Sequence, residues 1–254
     1  MRGDDDPRAG EAAAVRLARG EAVESVLDAD DPAAWLALDA GARRGTWWHA
    51  GAVRAEWEHV APLPDDPAGL DASRYALALC HRDGRLREAA VRGVLGHPSL
   101  LPLLVVGAAD WGAPVRQAAR QVLRDLVDGD AVGGDGVETA VALTPVILVV
   151  GRRERGGFAV ALLDEVLRDP SRVWPAALLT HGDLAVRRHA HRLAVETGRL
   201  SPAEPARTAA GDADTVVQAL CADAALAAAP EGRPCEEVVG PLLGARSPRA
   251  GRPE

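Results

Sequence analysis

Lysine and asparagine are absent from the 254 residues, and aromatic residues make up only 3% of them. With so few rings, a core must be built from alanine, valine and leucine, which suits closely packed helices. Three cysteines are too few for a disulfide-stabilised scaffold. Because every basic residue is an arginine, an arginine at any one position is weak evidence that a guanidinium group was needed there.

Long apolar runs are also missing. The longest, over residues 140–151, is interrupted by Thr144 and Pro145 and is too short to span a bilayer. The first ten residues are polar and acidic and lack the apolar segment of a signal peptide. We therefore expect a cytoplasmic protein without membrane association. The net charge of −8 argues against a nucleic-acid partner.

Apolar residues at helical spacing fill most of the chain. The segments are short and bounded by Gly, Asp or Pro, and none shows the alternation of a β-strand. The expected fold is therefore all-α. Helices are predicted over 11–28, 32–42, 46–60, 72–81, 99–109, 115–127, 137–150, 157–168, 171–181, 184–197, 202–210 and 213–228, with one more after Asp83.

One spacing pattern occurs four times. In the fullest copy Asp110 follows Pro102 by eight residues, and Val115 and Arg116 follow Asp110 by five and six residues. Small or apolar residues stand four and eight positions after the valine. The corresponding anchors Leu86, Val115, Val186 and Val216 are spaced by 29, 71 and 30 residues. Positions 0, +4 and +8 lie on one face of a helix. The pattern therefore predicts burial of the residues at +4, which are Ala90, Ala119, Ala190 and Leu220.

The pattern over residues 102–123 resembles the HEAT repeat. The resemblance covers roughly residues 71–228 and implies a right-handed α-solenoid of antiparallel helix pairs. It also implies a ladder of aspartate and arginine along the array, assigned here to Asp83, Arg87, Asp110, Arg116, Asp183 and Arg187. The organisation we predict is a disordered tail (1–10), degenerate or capping repeats (11–60), a linker (61–67), the repeat array (68–228) and a mostly disordered tail with a short helix (229–254).

Motifs for catalysis, cofactors or metals are not found. His189 and His191 are two residues apart and diverge on a helix, and no cysteines have metal-ligand spacing. The acidic pairs lie in tails and turns, and the glycine-rich segment 133–136 lacks the lysine and the preceding strand of a phosphate-binding loop. We therefore predict a protein that is not an enzyme and uses no cofactor or metal.

The second helices of the repeats are rich in arginine although the chain is acidic. In HEAT proteins these helices line the concave face, so the resemblance implies a non-catalytic scaffold that binds a protein partner there, with an acidic segment as the expected ligand. A solvated polar helix face is the competing interpretation. The residues assigned to the binding face are Arg92, Arg120, Gln121, Arg124, Arg188, His191 and Arg192.

Helical-repeat base-excision DNA glycosylases supply the alternative functional hypothesis. Such enzymes engage a damaged base with tryptophan and aspartate side chains in a basic groove. Trp111 beside Asp110, together with Trp174, could take these roles, whereas packing between repeats is the competing interpretation of both tryptophans.

Overall fold

The structure, a computed structural model, describes residues 6–44, 55–129, 136–200 and 203–228. All regular secondary structure in these ranges is helical, which confirms the predicted all-α class. Three short 3₁₀ turns, over Val94–Gly96, Pro98–Leu100 and Ala176–Thr180, accompany the α-helices. The α-helices are α1 (Pro7–Ala18), α2 (Val23–Val26), α3 (Pro32–Ala42), α4 (Glu56–Val60), α5 (Ala72–Leu79), α6 (Gly84–Gly93), α7 (Leu101–Gly107), α8 (Ala113–Asp128), α9 (Gly136–Val150), α10 (Gly157–Arg168), α11 (Leu184–Glu196), α12 (Ala203–Gly211) and α13 (Thr215–Ala228).

Aspartate side chains start many of these helices. Asp31 caps α3, Asp71 caps α5, Asp83 caps α6 and Asp183 caps α11, each by accepting a hydrogen bond from a backbone N–H of the first turn. These N–H groups have no partner within their own helix, and a carboxylate also suits the positive end of the helix dipole. The acidic turns of the sequence therefore set where the helices begin.

The helix ends differ from the predictions at a few places. The predicted helix 11–28 is divided into α1 and α2, because Gly20 takes a positive φ of 87° just after α1. Segment 171–181 forms only a 3₁₀ turn after Pro175. Helix α1 begins at Pro7, inside the stretch predicted as a tail. Part of the predicted helix 46–60 and the whole of the predicted tail 229–254 lie outside the described residues.

The chain divides into two compact units, residues 1–166 and 167–254. In the first unit α1 packs along α3. Gly10 and Gly41 permit this close approach, because a β-carbon on either residue would overlap backbone atoms of the other helix. Helices α5 and α6 pack as a pair, as do α7 and α8.

Contacts between the pairs of the first unit alternate along the chain. Helix α7 contacts α5 and α9, while α6 contacts α8. First helices therefore pack on first helices, and second helices on second helices. In the second unit α11 packs against the 3₁₀ turn and against α13, and α12 packs against α13.

The same hydrogen-bonded turn precedes α6, α8, α11 and α13. Its first residue is His81, Asp110, His181 or Asp212. The side chain of that residue accepts a bond from the backbone N–H two residues later, at 3.0, 2.7, 3.0 and 2.7 Å respectively. Its carbonyl oxygen accepts a bond from the side chain six residues later, at 2.6, 2.7, 3.2 and 2.6 Å. The four residues that donate this second bond are Arg87, Arg116, Arg187 and Gln218.

The positions of the buried residues are also the same in each copy when they are counted from the first residue of the turn. The predicted burial of Ala90, Ala119 and Ala190 is confirmed, at 0, 0 and 1% exposure. The prediction for Leu220 is wrong, because the fourth copy is displaced by one residue. Counted from Asp212, the anchor is the buried Val217 rather than Val216, which is 49% exposed, and the +4 residue is the buried Cys221. The turn therefore defines the repeat better than the preceding proline does.

Candidate functional site

A buried cluster of four charges lies behind the turn at Asp110. The carboxylate of Asp110 is fully buried and accepts bonds from Arg87 Nε and Nη2, both at 3.0 Å, and from Arg43 Nη1 at 2.8 Å. Arg43 also donates from Nε to Asp39, at 2.7 Å. Two carboxylates thus bond to two guanidinium groups, and the positive charge of Arg153 also acts on Asp39.

Protonation behaviour differs between the two acids of this cluster. Burial raises the pKa of Asp39, and the positive charges of Arg43 and Arg153 only partly offset this. Burial also acts to raise the pKa of Asp110, but the bonds from Arg87, the charge of Arg43 and the N–H of Gly112 hold it below its usual value. The pKa of the neighbouring Cys80 thiol is raised well above its usual value, chiefly by burial, so this thiol stays protonated at neutral pH.

The side chain of Asp110 is therefore buried, with its hydrogen-bonding capacity used within the protein. Both oxygens accept hydrogen bonds from protein groups, one of them also from the N–H of Gly112 at 2.7 Å. The side chain has no exposed area with which to meet a nucleotide base. Of the two residues singled out for the glycosylase hypothesis at this turn, only Trp111 faces solvent, at 65% exposure.

The remaining residues assigned to the ladder take several roles. Asp83 and Asp183 cap helices, and neither pairs with an arginine of the described ranges. Arg187 lies 3.4 Å from Asp212 of the following turn, which parallels Arg87 on Asp110. Arg116 donates to the carbonyl oxygens of Asp110 and Trp111, at 2.7 and 3.1 Å, and not to a carboxylate.

Of the residues assigned to the binding face, four lie in the first unit. Arg92 and Gln121 are exposed and bond within their own helices, to Glu88 and Asp125. Arg120 and Arg124 instead project from α8 towards α10, where their guanidinium carbons lie 4.9 and 5.7 Å from the ring centroid of Phe158. The structure therefore brings only Arg120 and Arg124 together.

The other three assigned residues lie in the second unit. Arg188 forms a two-point ion pair with Asp214, at 2.6 and 3.1 Å. His191 is buried, with Nε2 3.2 Å from the carbonyl oxygen of Leu179 and Nδ1 3.7 Å from the sulfur of Cys221. Arg192 is about half exposed and contacts His189 and Glu196. His191 is therefore part of the core, and Arg188 is already neutralised.

A basic surface with two aromatic rings remains in the first unit, and we call it the α8 surface. Its members are Trp111, Arg116, Arg120, Arg124 and Phe158. The three arginines are four residues apart and so lie along one side of α8. Arg120 donates to the carbonyl oxygens of Ala108 and Arg155, at 3.0 and 3.1 Å, and Arg124 lies 3.4 Å from Glu165.

One of the three arginines of the α8 surface, Arg124, is paired with an acidic side chain, and the other two differ from it. Among the described residues Arg116 and Arg120 bond only to carbonyl oxygens, and neither forms an ion pair. The pKa of Arg120 is lowered from its usual value, chiefly by burial and to a smaller extent by the positive charge of the neighbouring Arg116. An anionic group placed between the two guanidinium groups would pair with both.

Sequence reasoning missed three of the residues that matter here. Phe158 stands outside the repeated pattern, and only its being the single phenylalanine of the chain marks it. Arg43 meets Asp110 from 67 residues away, and no local signal points to it. Asp212 pairs with Arg187, but the displaced fourth copy keeps it out of the predicted ladder.

Comparison with known proteins finds no matching family model, no matching curated protein and no matching solved structure. Over the described ranges, no group of three or more His, Cys, Asp and Glu side chains could hold a metal ion. Over the same ranges, no helix is long and apolar enough to cross a membrane. The α8 surface is therefore the candidate site, on the strength of its own geometry.

Proposed function

We propose that this protein is a HEAT-like helical-repeat scaffold, not an enzyme, that binds an acidic segment of another protein. The α8 surface is the binding site. The observation that carries the proposal is the side-by-side placement of Arg116 and Arg120 without an ion-pair partner among the described residues.

The repeat architecture is supported by two independent features. The turn before the second helix recurs four times with the same two hydrogen bonds. Within the first unit α6 packs on α8, and α7 packs on both α5 and α9, as expected where helix pairs stack in layers. Second helices stacked in this way within the first unit offer a surface on which a partner segment can lie.

The acidic partner is supported by charge. The chain carries a net charge of −8, whereas Arg116 and Arg120 place two positive charges without an ion-pair partner among the described residues on one side of α8. A field of this kind steers an anionic segment to its site and selects against basic ones. Arginine and tryptophan are also the residues that contribute most to binding energy at protein interfaces.

Selection from a random peptide library tests the proposal. We expect the wild-type protein to enrich peptides with net negative charge, because their carboxylates can pair with Arg116 and Arg120. The double variant Arg116→Glu/Arg120→Glu should lose that enrichment. Arg74→Glu is the control, because Arg74 is an exposed arginine on α5 and lies outside the α8 surface.

Far-ultraviolet circular dichroism of each variant shows whether it is folded. If the peptides selected by the wild-type protein show no excess of acidic residues, the proposal is contradicted. Equal enrichment of acidic peptides by the charge-reversed variant would contradict the placement of the site on α8.

A further inference from the structure

We propose that Trp111 is the apolar anchor of the α8 surface, and that the acidic partner segment places an aliphatic side chain on its indole. The inference rests on the proposed function and adds to it a specific chemical requirement. The ligand must combine carboxylates with an apolar residue, rather than carry negative charge alone.

The first support is exposure. Trp111 is 65% exposed, while Trp35 and Trp57 are 2 and 1% exposed. Among the described aromatic residues of the first unit only Trp111 is exposed, since Tyr75 is buried and Phe158 is half-buried. A ring of this size turned to water loses the favourable burial that the other tryptophans obtain. Two small residues that follow it, Ala113 and Pro114, are exposed as well.

The second support is that the peptide group after Trp111 is hydrogen-bonded at both its C=O and its N–H. The carbonyl oxygen of Trp111 accepts a bond from Arg116 Nη1 at 3.1 Å. The N–H of Gly112, the next residue, donates to the buried Asp110 carboxylate at 2.7 Å. Behind the indole, the guanidinium carbon of Arg87 lies 5.7 Å from the ring centroid, held there by Asp110. A ring presented from a fixed turn loses little conformational freedom when it is covered.

The third support is the link to the arginines. Because Arg116 binds the carbonyl oxygen of Trp111, the anchor and the charged row begin at the same place. A partner residue on the indole would put its neighbouring acidic residues next to Arg116 and Arg120. An apolar contact rimmed by charge pairs is the arrangement that interface hot spots show.

Two labelled peptides test the anchor by fluorescence anisotropy. One is acetyl-EDEELEDEE-amide, and the other has serine in place of its leucine. For the wild-type protein we expect the leucine peptide to bind about tenfold more tightly than the serine peptide. In Trp111→Ala this preference should disappear, and in Trp111→Phe, which keeps an aromatic ring, most of it should remain.

Salt separates the two claims, because screening weakens the charge contacts and leaves the apolar contact largely intact. Raising the salt concentration should weaken the binding of both peptides and preserve the ratio between their affinities. If Trp111→Ala keeps the tenfold preference, or if the wild type shows none, the anchor is refuted. If Arg116→Glu/Arg120→Glu still abolishes binding in that case, the proposed function stands without the anchor, and if it does not, both fail.

Discussion

Replacing Asp110 with alanine should destabilise the protein more than any other single truncation of an acidic side chain described here. The carboxylate is fully buried and receives four hydrogen bonds, two of them from Arg87, whose side chain is 1% exposed. The change leaves the Arg87 charge buried without a counter-ion. Breaking a buried ion pair in this way costs about 3–5 kcal/mol.

The structure places the expected loss near the lower end of that range, at about 3 kcal/mol. Arg87 keeps its bonds to the carbonyl oxygens of His81 and Arg82, at 2.6 and 3.0 Å. Arg43 keeps its pair with Asp39. Neither guanidinium group is therefore left entirely without partners.

Urea denaturation followed by circular dichroism measures the loss, and Asp212→Ala is the matched control. Asp212 occupies the same position in the second unit, but its contact to Arg187 is 3.4 Å and both side chains are 15% exposed. We expect the control to lose only about 1 kcal/mol. The double variant Arg87→Met/Asp110→Leu should come closer to the wild type than Asp110→Ala does, because no buried charge remains unpaired. Equal losses for Asp110→Ala and Asp212→Ala would refute this reasoning.

The stability lost in Asp110→Ala should also depend on pH. The pKa of Asp110 is held below its usual value, so its pairing stabilises the fold above the unfolded-state pKa of about 3.9. That stabilisation is lost as the pH falls through the lower pKa of the folded state. The difference between wild type and Asp110→Ala should stay constant from neutral pH down to about 5 and shrink below about 4.

Three further predictions concern packing and reactivity. Ala119→Arg should cost roughly 3 kcal/mol or more, because Ala119 is 0% exposed and a charge would be forced into the layer between helices; a thermal melt within a degree of wild type would contradict it. Gly41→Ala should lower the melting temperature by several degrees through overlap with α1, whereas Gly157→Ala, with open space around it, should have little effect. Burial raises the pKa of Cys221 to about 11, so iodoacetamide should label this thiol at pH 7.5 only under denaturing conditions.

Local sequence signals predicted most of the helices but not the details of the repeat. Aspartate caps and helical spacing are short-range properties, so α3 and α10 lie at the predicted residues. The displaced fourth copy shows where this failed. Two valines stand side by side at 216 and 217, and only the turn geometry at Asp212 shows which one faces the core.

Long-range pairings were beyond reach for a different reason. The approach of Arg43 to Asp110 depends on how α3 packs against α7, and no spacing within the chain encodes it. The candidate site was predicted in part, since Arg120 and Arg124 were assigned to it from the pattern. Arg120 and His191 each stand five residues after the anchor of their own helix, but Arg120 is half-buried whereas His191 is only 3% exposed.

Indole signals in a ¹H–¹⁵N correlation spectrum test the central claim most directly. The chain has six tryptophans and therefore six indole N–H groups, of which Trp111 lies on the α8 surface and Trp35 and Trp57 are buried. Titration with an acidic peptide selected on the wild-type protein should shift the Trp111 signal and leave those of Trp35 and Trp57 in place. An unchanged Trp111 signal at saturating peptide would contradict binding at the α8 surface.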